Sequence, residues 1–123
     1  MGSDLAPPTE DENAKTSGQC CTATHSLTET ELASDIQLLS AIGNATRYEA
    51  LRLIADSSSD VCVCELEPAL GVSQSAVSQA LSRLYAAGLV SRRKEGRWRY
   101  YAATPQAAAI LNAVDEVRGQ TDE

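Results

Sequence analysis

The chain has 123 residues, 43% of them hydrophobic but only 4% aromatic and none phenylalanine, enough for one domain with a modest core that a partner subunit would help to complete. Its formal net charge of −7, taken as a sum, argues against a nucleic-acid binder. No apolar run is long enough for a secretion signal or a membrane helix, so a cytoplasmic, membrane-free setting is expected, in which four cysteines pose a question about ligands rather than disulfides.

The distribution of charge points the other way. Six of the ten Lys and Arg side chains lie between Arg83 and Arg99, where Glu95 is the only acid, whereas the first 35 residues carry seven acids and one lysine. A basic segment on an acidic body still meets phosphate, because the local field governs contact. Arg outnumbers Lys eight to two, and with the acidic remainder this suits a salt-rich cytoplasm in which self-repulsion is screened.

In chain order, residues 1–27 hold Pro7-Pro8, scattered acids and hydroxyls and no periodicity. They read as a flexible acidic tail that carries Cys20, Cys21 and the only histidine, His25, itself read as solvated. The folded unit is expected over 28–119. Thr28-Glu29-Thr30-Glu31 fits a capping box that opens a first helix with Leu32, Ile36 and Leu39 on one face. After a break at Gly43, Asn44 suits the N-cap of a second helix carrying Tyr48, Leu51 and Ile54. A serine-rich loop from Asp56 to Asp60 leads to a third helix from about Cys64 to Leu70, stopped by Gly71. Ser73 caps a fourth, with Val77, Leu81 and Leu84 inward and Gly88 closing it. Leu89 to Lys94 and Arg97 to Ala102 flank Glu95-Gly96 as a two-residue hairpin loop, and Pro105 starts a last helix striped by Ile110, Leu111, Val114 and Val117. The fold class is mostly α with a small β-hairpin, in the order α-α-α-α-β-β-α.

A short helix, a glycine turn and a second helix with a polar outer face make a helix-turn-helix. In the fourth helix Ser73 and Gln74 stand at the start, Ser75, Ser78, Gln79 and Ser82 lie opposite the apolar stripe, and Arg83 borders them. Gln can bond adenine bidentately and Ser can donate to bases or phosphates. A solvated face would show the same residues, and the hairpin decides between the two. With Glu95-Gly96 as the loop, Lys94 stands opposite Arg97 and Arg92 opposite Arg99, four cations on one face, while Trp98 and Tyr100 turn toward the helices. Like charges across strands repel, so this arrangement makes sense against phosphates or in a minor groove. A charged edge that blocks aggregation is the plainer alternative.

Cys62-Val63-Cys64-Glu65 raises a separate question. In a regular helix residues i and i+2 point roughly 200° apart, so both thiols could grip one ion only if the start of the third helix deforms. Donors ~2.3 Å from one soft ion stand within ~4 Å of each other. Small buried hydrophobes beside Val61 and Val63 are the plainer reading.

The segments AIGNATRYEALRLIA and VCVCELEPALGVSQSAVSQALSRLYAAGLVSRRKEGRWRYY, in this order within residues 31–118, resemble the ArsR/SmtB family of metal-responsive winged-helix repressors. The resemblance implies a dimeric winged helix-turn-helix that binds double-stranded operator DNA and releases it when a soft ion binds cysteine thiolates. Cys62 and Cys64 stand where arsenic- and cadmium-type relatives hold their inducer, and Cys20 and Cys21 are the further donors. One of them would complete a trigonal site for As(III) or Sb(III), the first choice, and both a tetrahedral site for Cd(II), Pb(II) or Zn(II). No cofactor is implied for folding. Some relatives hold zinc between their last helices with histidine among the donors. Here Asp115 and Glu116 have no histidine near them, so that site is not expected, and Ile110, Leu111, Val114 and Val117 with Leu32 and Ile36 read as a homodimer seam. Where many relatives carry histidine in the reading helix, this chain has Gln79-Ala80.

Two rivals stand beside this reading. A phosphatase-like arsenate reductase needs an arginine six residues after its cysteine, but those positions hold Pro68 and Leu70, so no enzyme is expected. A redox repressor, whose thiols oxidise instead of binding an ion, fits the same residues.

Overall fold

Thr28 Oγ1 accepts from the Glu31 N–H at 3.0 Å while the Glu31 carboxylate accepts from the Thr28 N–H at 2.9 Å, and this reciprocal cap opens α1 (Glu29–Ile42) as its sequence predicts. The structure, a computed structural model, describes residues 21–121, so Cys20 and most of the expected tail lie outside the described residues. Asn44 Oδ1 accepts from the Arg47 N–H at 3.0 Å and starts α2 (Ala45–Ala55). The Arg47 guanidinium turns back to donate to the carbonyls of Ala41 at 2.7 Å and Ser40 at 3.0 Å, adding donors at the last turn of α1.

Next comes β1 (Val61–Cys62), a strand missing from the expected order because two residues carry no readable alternation. It runs straight into α3 (Val63–Leu70), which ends at Gly71 in the left-handed conformation, φ 68° and ψ 27°. Ser73 Oγ then accepts from the Ala76 N–H at 3.1 Å and caps α4 (Gln74–Ala86). After Gly88 follow β2 (Val90–Glu95), β3 (Trp98–Ala103) and α5 (Pro105–Thr121). The Thr104 hydroxyl donates to the Gly88 carbonyl at 2.8 Å, tying the end of α4 to the start of α5. The antiparallel sheet has the order β1-β3-β2. Leu51, Leu66, Val77, Leu81, Leu84 and Leu89 are sealed where α2, α3 and α4 meet the base of the hairpin. Each such aliphatic side chain contributes about 1.5–3 kcal/mol.

The hairpin departs from its expected register. Glu95 pairs with Trp98 and Lys94 with Arg99, so the loop is Gly96-Arg97, and Arg92 stands opposite Tyr101 rather than Arg99. Gly96 has φ 63°, the positive value that the first position of a two-residue hairpin turn requires, whereas the expected loop would have put Glu95 there. The inward face is also the other one. Tyr101 and Val90 are buried, while Trp98 is 49% exposed and Tyr100 half-buried. Arg92, Lys94 and Arg99 share the face of Tyr101 but stay exposed, because they lie beyond the hairpin's base.

Leu111 requires a second correction. It is 4% exposed within its own protomer and belongs to the core, so it is not seam. Ile110 packs on the edge of the same core and Val114 is half-buried, whereas Leu32, Ile36, Leu39 and Val117 are exposed. Helix α5 is further held by Asp115, whose carboxylate accepts from Arg52 of α2 at 2.6 Å and pairs with Arg118 at 3.0 Å. The Arg52 hydrogen bond holds the Asp115 carboxyl below its ordinary value. A depressed folded pKa gives stability that is present above the ordinary carboxylate range and lost as pH falls through the folded value. Asp115→Asn should therefore lower the Tm at neutral pH, and the gap to the parent chain should close on acidification in a thermal-melt series.

Candidate nucleic-acid interface and thiol pair

Helix α4 separates its faces cleanly. Val77, Ala80, Leu81 and Leu84 are buried, while Gln74, Ser75, Ser78, Gln79, Ser82 and Arg83 are all exposed, and Ser78, Gln79, Ser82 and Arg83 line one shallow depression. Ser73 is exposed too, with its hydroxyl oxygen engaged as the cap. Exposed Gln and Ser on a helix flanked by cations suit base edges and phosphates.

The wing extends this surface. The Arg92 guanidinium lies 4.0 Å from the ring centroid of Tyr85 on α4, so the cation is laid along the flank of that helix. Lys94 and Arg99 face each other across the strands, and Arg97 occupies the turn. Among the described residues none of Arg83, Arg92, Lys94, Arg97 or Arg99 has an ion-pair partner. Their charge is available to a phosphate backbone.

Arg93 behaves differently, and sequence reasoning missed it. It pairs with Asp60 and with Glu95, each at 2.9 Å, and lies 4.7 Å from the Tyr100 ring centroid. Hydrogen bonds to Glu95 and then Asp60 raise its pKa further. Arg93 thus fastens the loop before β1 to the wing while neutralising the acid nearest the wing tip. Tyr85 and Asp60 were missed with it. Strand alternation places Arg93 on the face opposite Arg92, a usable signal, but nothing in the sequence joins it to Asp60.

The thiols meet without the deformation that the sequence predicts. Cys62 is not helical: it ends β1 with φ −84° and ψ 147° and serves as the N-cap of α3. From there its Sγ comes within 2.7 Å of Cys64 Sγ and accepts from the Cys64 N–H at 3.4 Å, while Glu65 accepts from the Cys62 N–H at 3.2 Å. The strand-to-helix junction resolves the roughly 200° conflict, which applies only when both residues are helical. Cys62 is buried and Cys64 exposed, so the pair opens to solvent on one side. Hydrogen bonding to Cys62 raises the Cys64 thiol above its ordinary value, and a soft ion would have to displace that proton. Cys21 is exposed, and among the described residues no third Cys, His, Asp or Glu joins the pair in a cluster that could hold a metal. No described helix is long and apolar enough to cross a membrane.

A glycine turn between two helices, a polar outer face on the second and a cationic hairpin packed beside it define a winged helix-turn-helix. The profile of the bacterial regulatory protein arsR family matches residues 44–92. A Halobacterium salinarum protein bearing the name ArsR2, after an arsenical resistance operon, is 56% identical over 103 residues, 84% of this chain and 87% of that one. The arsenical resistance operon repressor of Escherichia coli K12 is 35% identical over 82 residues, 66% and 69% of the two chains. In fold, the homodimeric winged helix-turn-helix DNA-binding domain Mb0332 of Mycobacterium bovis matches with a TM-score of 0.68 at 24% identity, covering 88% of this chain and 92% of that one. The chain belongs to the ArsR family of bacterial regulatory proteins, and it is a regulator rather than an enzyme.

Proposed function

We propose that the protein is a cytoplasmic, homodimeric transcriptional repressor that binds operator DNA through α4 and the wing and releases it when As(III) or Sb(III) binds Cys62 and Cys64. The observation that carries this reading is the convergence of the two sulfurs at the β1–α3 junction, 2.7 Å apart beside the helix-turn-helix. Soft thiolates select soft ions, and the names of the relatives point to arsenicals. One tail cysteine, Cys20 or Cys21, from the same or the other protomer, completes a trigonal site. A tetrahedral Cd(II), Pb(II) or Zn(II) site would recruit both. A titration of DNA release against arsenite, antimonite, cadmium, lead and zinc tests the choice, with the first two expected to act at the lowest concentrations.

The route from thiols to DNA is short. A shared ion would open the sulfurs toward ~4 Å and take over the lone pairs with which Cys62 caps α3. Cys62 also pairs with Tyr100 in the wing, and α3 packs on α4, so both reading elements sense the change. The exposed Leu32, Ile36 and Leu39 of α1 with Val117 of α5, flanked by Ile110 and Val114, form the two-fold seam. A dimer then sets two copies of α4 about 34 Å apart, one DNA turn.

Neutralising Arg97 and Arg99 together should weaken binding to every duplex and make log K fall less steeply with log salt, by roughly 0.9 for each phosphate that is no longer neutralised. Gln79→Ala should instead change the ranking of sites at an unchanged slope. An unaltered affinity and slope in the double wing variant would remove the wing from the interface. The same sulfur convergence favours a second reading, a repressor released by thiol oxidation. Release by arsenite under anaerobic, reducing conditions separates the two.

A further inference from the structure

We infer that Arg93 is a positioning residue that carries the state of the thiol pair to the wing, holding the hairpin in its DNA-binding pose only while Cys62 and Cys64 are free of an ion. The inference rests on the reading of the chain as a thiol-gated repressor and adds a residue which that reading does not use. Strand register sets Cys62, Tyr100 and Arg93 in one row across β1, β3 and β2. Residues directly opposed across a ladder project on the same face, so the buried thiol, the half-buried ring and the guanidinium stand in line on one side of the sheet. The Arg93 guanidinium lies 4.7 Å from the Tyr100 ring centroid. Its Nε donates to Asp60 Oδ2, two residues before Cys62, and its Nη1 donates to Glu95 Oε1 near the wing tip, each at 2.9 Å. One side chain thus joins the segment that leads into Cys62 to the last residue of β2.

An exposed ion pair is ordinarily a solvated surface contact of little weight, and half of the Arg93 side chain is exposed. Its partners argue against that reading. Among the described residues Arg92, Lys94, Arg97 and Arg99 of the same hairpin have no ion pair, whereas Arg93 has two, with carboxylates from separate elements. A planar guanidinium fork has fixed directions, so the link transmits position as well as charge. The geometry also makes it sensitive to the thiols. Around a shared soft ion the two sulfurs, now 2.7 Å apart, would stand ~4 Å apart, an opening of about 1 Å close to Asp60 in the chain. A hydrogen bond of 2.9 Å is lost by about 3.5 Å, so little more than half of that opening releases Asp60 and loosens the wing from the loop before β1. An exposed pair shifts an equilibrium roughly 1.4–5-fold, against about 5–150-fold for typical coupling between sites. Arg93 therefore carries a share of the signal, and the packing of α3 on α4 carries the remainder.

The test uses the full chain and a labelled duplex selected by the protein itself from a random pool. Anisotropy reads affinity under anaerobic, reducing conditions without arsenite and with saturating arsenite, and the ratio of the two is the coupling factor. Asp60→Asn and Arg93→Lys should each lower that ratio roughly 3-fold. The loss should appear as weaker binding without arsenite and unchanged residual binding with it, because the link is already open in the ligated form. The double variant should match either single variant, since both remove one link. Asp60→Glu, which keeps a carboxylate within reach, should retain the parent ratio. Glu95→Gln, which leaves the Asp60 link in place, should tighten binding alike in both states at an unchanged ratio. A merely structural role would weaken both states together. That outcome, or a parent-level ratio in Asp60→Asn and Arg93→Lys, would overturn the inference. A parent chain whose ratio is one would instead refute thiol gating by arsenite, and the inference with it.

Discussion

Replacing Cys62 or Cys64 with serine should leave operator affinity at the parent level and abolish release by arsenite. The structure makes this sharper than chemistry alone. Cys62 caps α3 by accepting the Cys64 N–H, and a serine hydroxyl at an N-cap does the same at least as well, so α3 and the helix-turn-helix stay folded. A hydroxyl is a poor ligand for a soft ion. Coupling between sites typically changes affinity about 5–150-fold, and in each variant that factor should drop to about one over the inducer range that empties the parent chain. Anisotropy of a labelled operator duplex reads both quantities in one titration. Cys21→Ser and a Cys20→Ser counterpart sort the coordination: unequal, partial losses for a trigonal site, two equal losses for a tetrahedral one. Normal induction in both would make the tail a bystander.

Leu111→Asp should unfold the protomer, whereas Ile36→Asp should yield a folded monomer with little operator affinity. Leu111 is enclosed with Leu51, Tyr101 and Ala107, and an unpaired carboxylate there costs several kcal/mol, a large share of a small domain's stability. Ile36 is 55% exposed in the protomer, so the same charge costs little until a second copy has to cover it. Circular dichroism and sedimentation separate the outcomes. A folded Leu111→Asp monomer would return that residue to the seam, and an intact Ile36→Asp dimer would move the seam away from α1.

What was legible in the sequence is what a few adjacent residues determine. The Thr28/Glu31 box, the Asn44 and Ser73 caps and the Gly71 turn follow from local hydrogen bonding and backbone freedom, and the structure has each of them. The buried side of α4 was equally plain, because Val77, Leu81 and Leu84 repeat at helical spacing. The misses depend on longer range. Aromatics on both strand faces left alternation unable to say whether Tyr101 or Trp98 turns inward, and only the packing of Val90 and Tyr101 on the helices decides it. Leu111 is a neighbour of Ile110 on a broad apolar stripe, and which of them faces its own core depends on how α5 docks against α2 and β3, elements distant in sequence. The thiol pair was visible as a motif but not as a geometry. Its convergence requires Cys62 to be the last residue of a strand, and that strand exists only because Val61 and Cys62 find Tyr101 and Tyr100 across the sheet.

The most direct measurement is an anaerobic arsenite titration, with all thiols reduced, of the parent chain and of the Cys62→Ser, Cys64→Ser double variant on one labelled operator duplex. Thiolate-gated release predicts that arsenite frees the parent chain completely without oxidant, and that the double variant stays bound at every concentration that empties the parent. Release of the double variant at the same arsenite concentration, or release of the parent only after an oxidant is added, would contradict it.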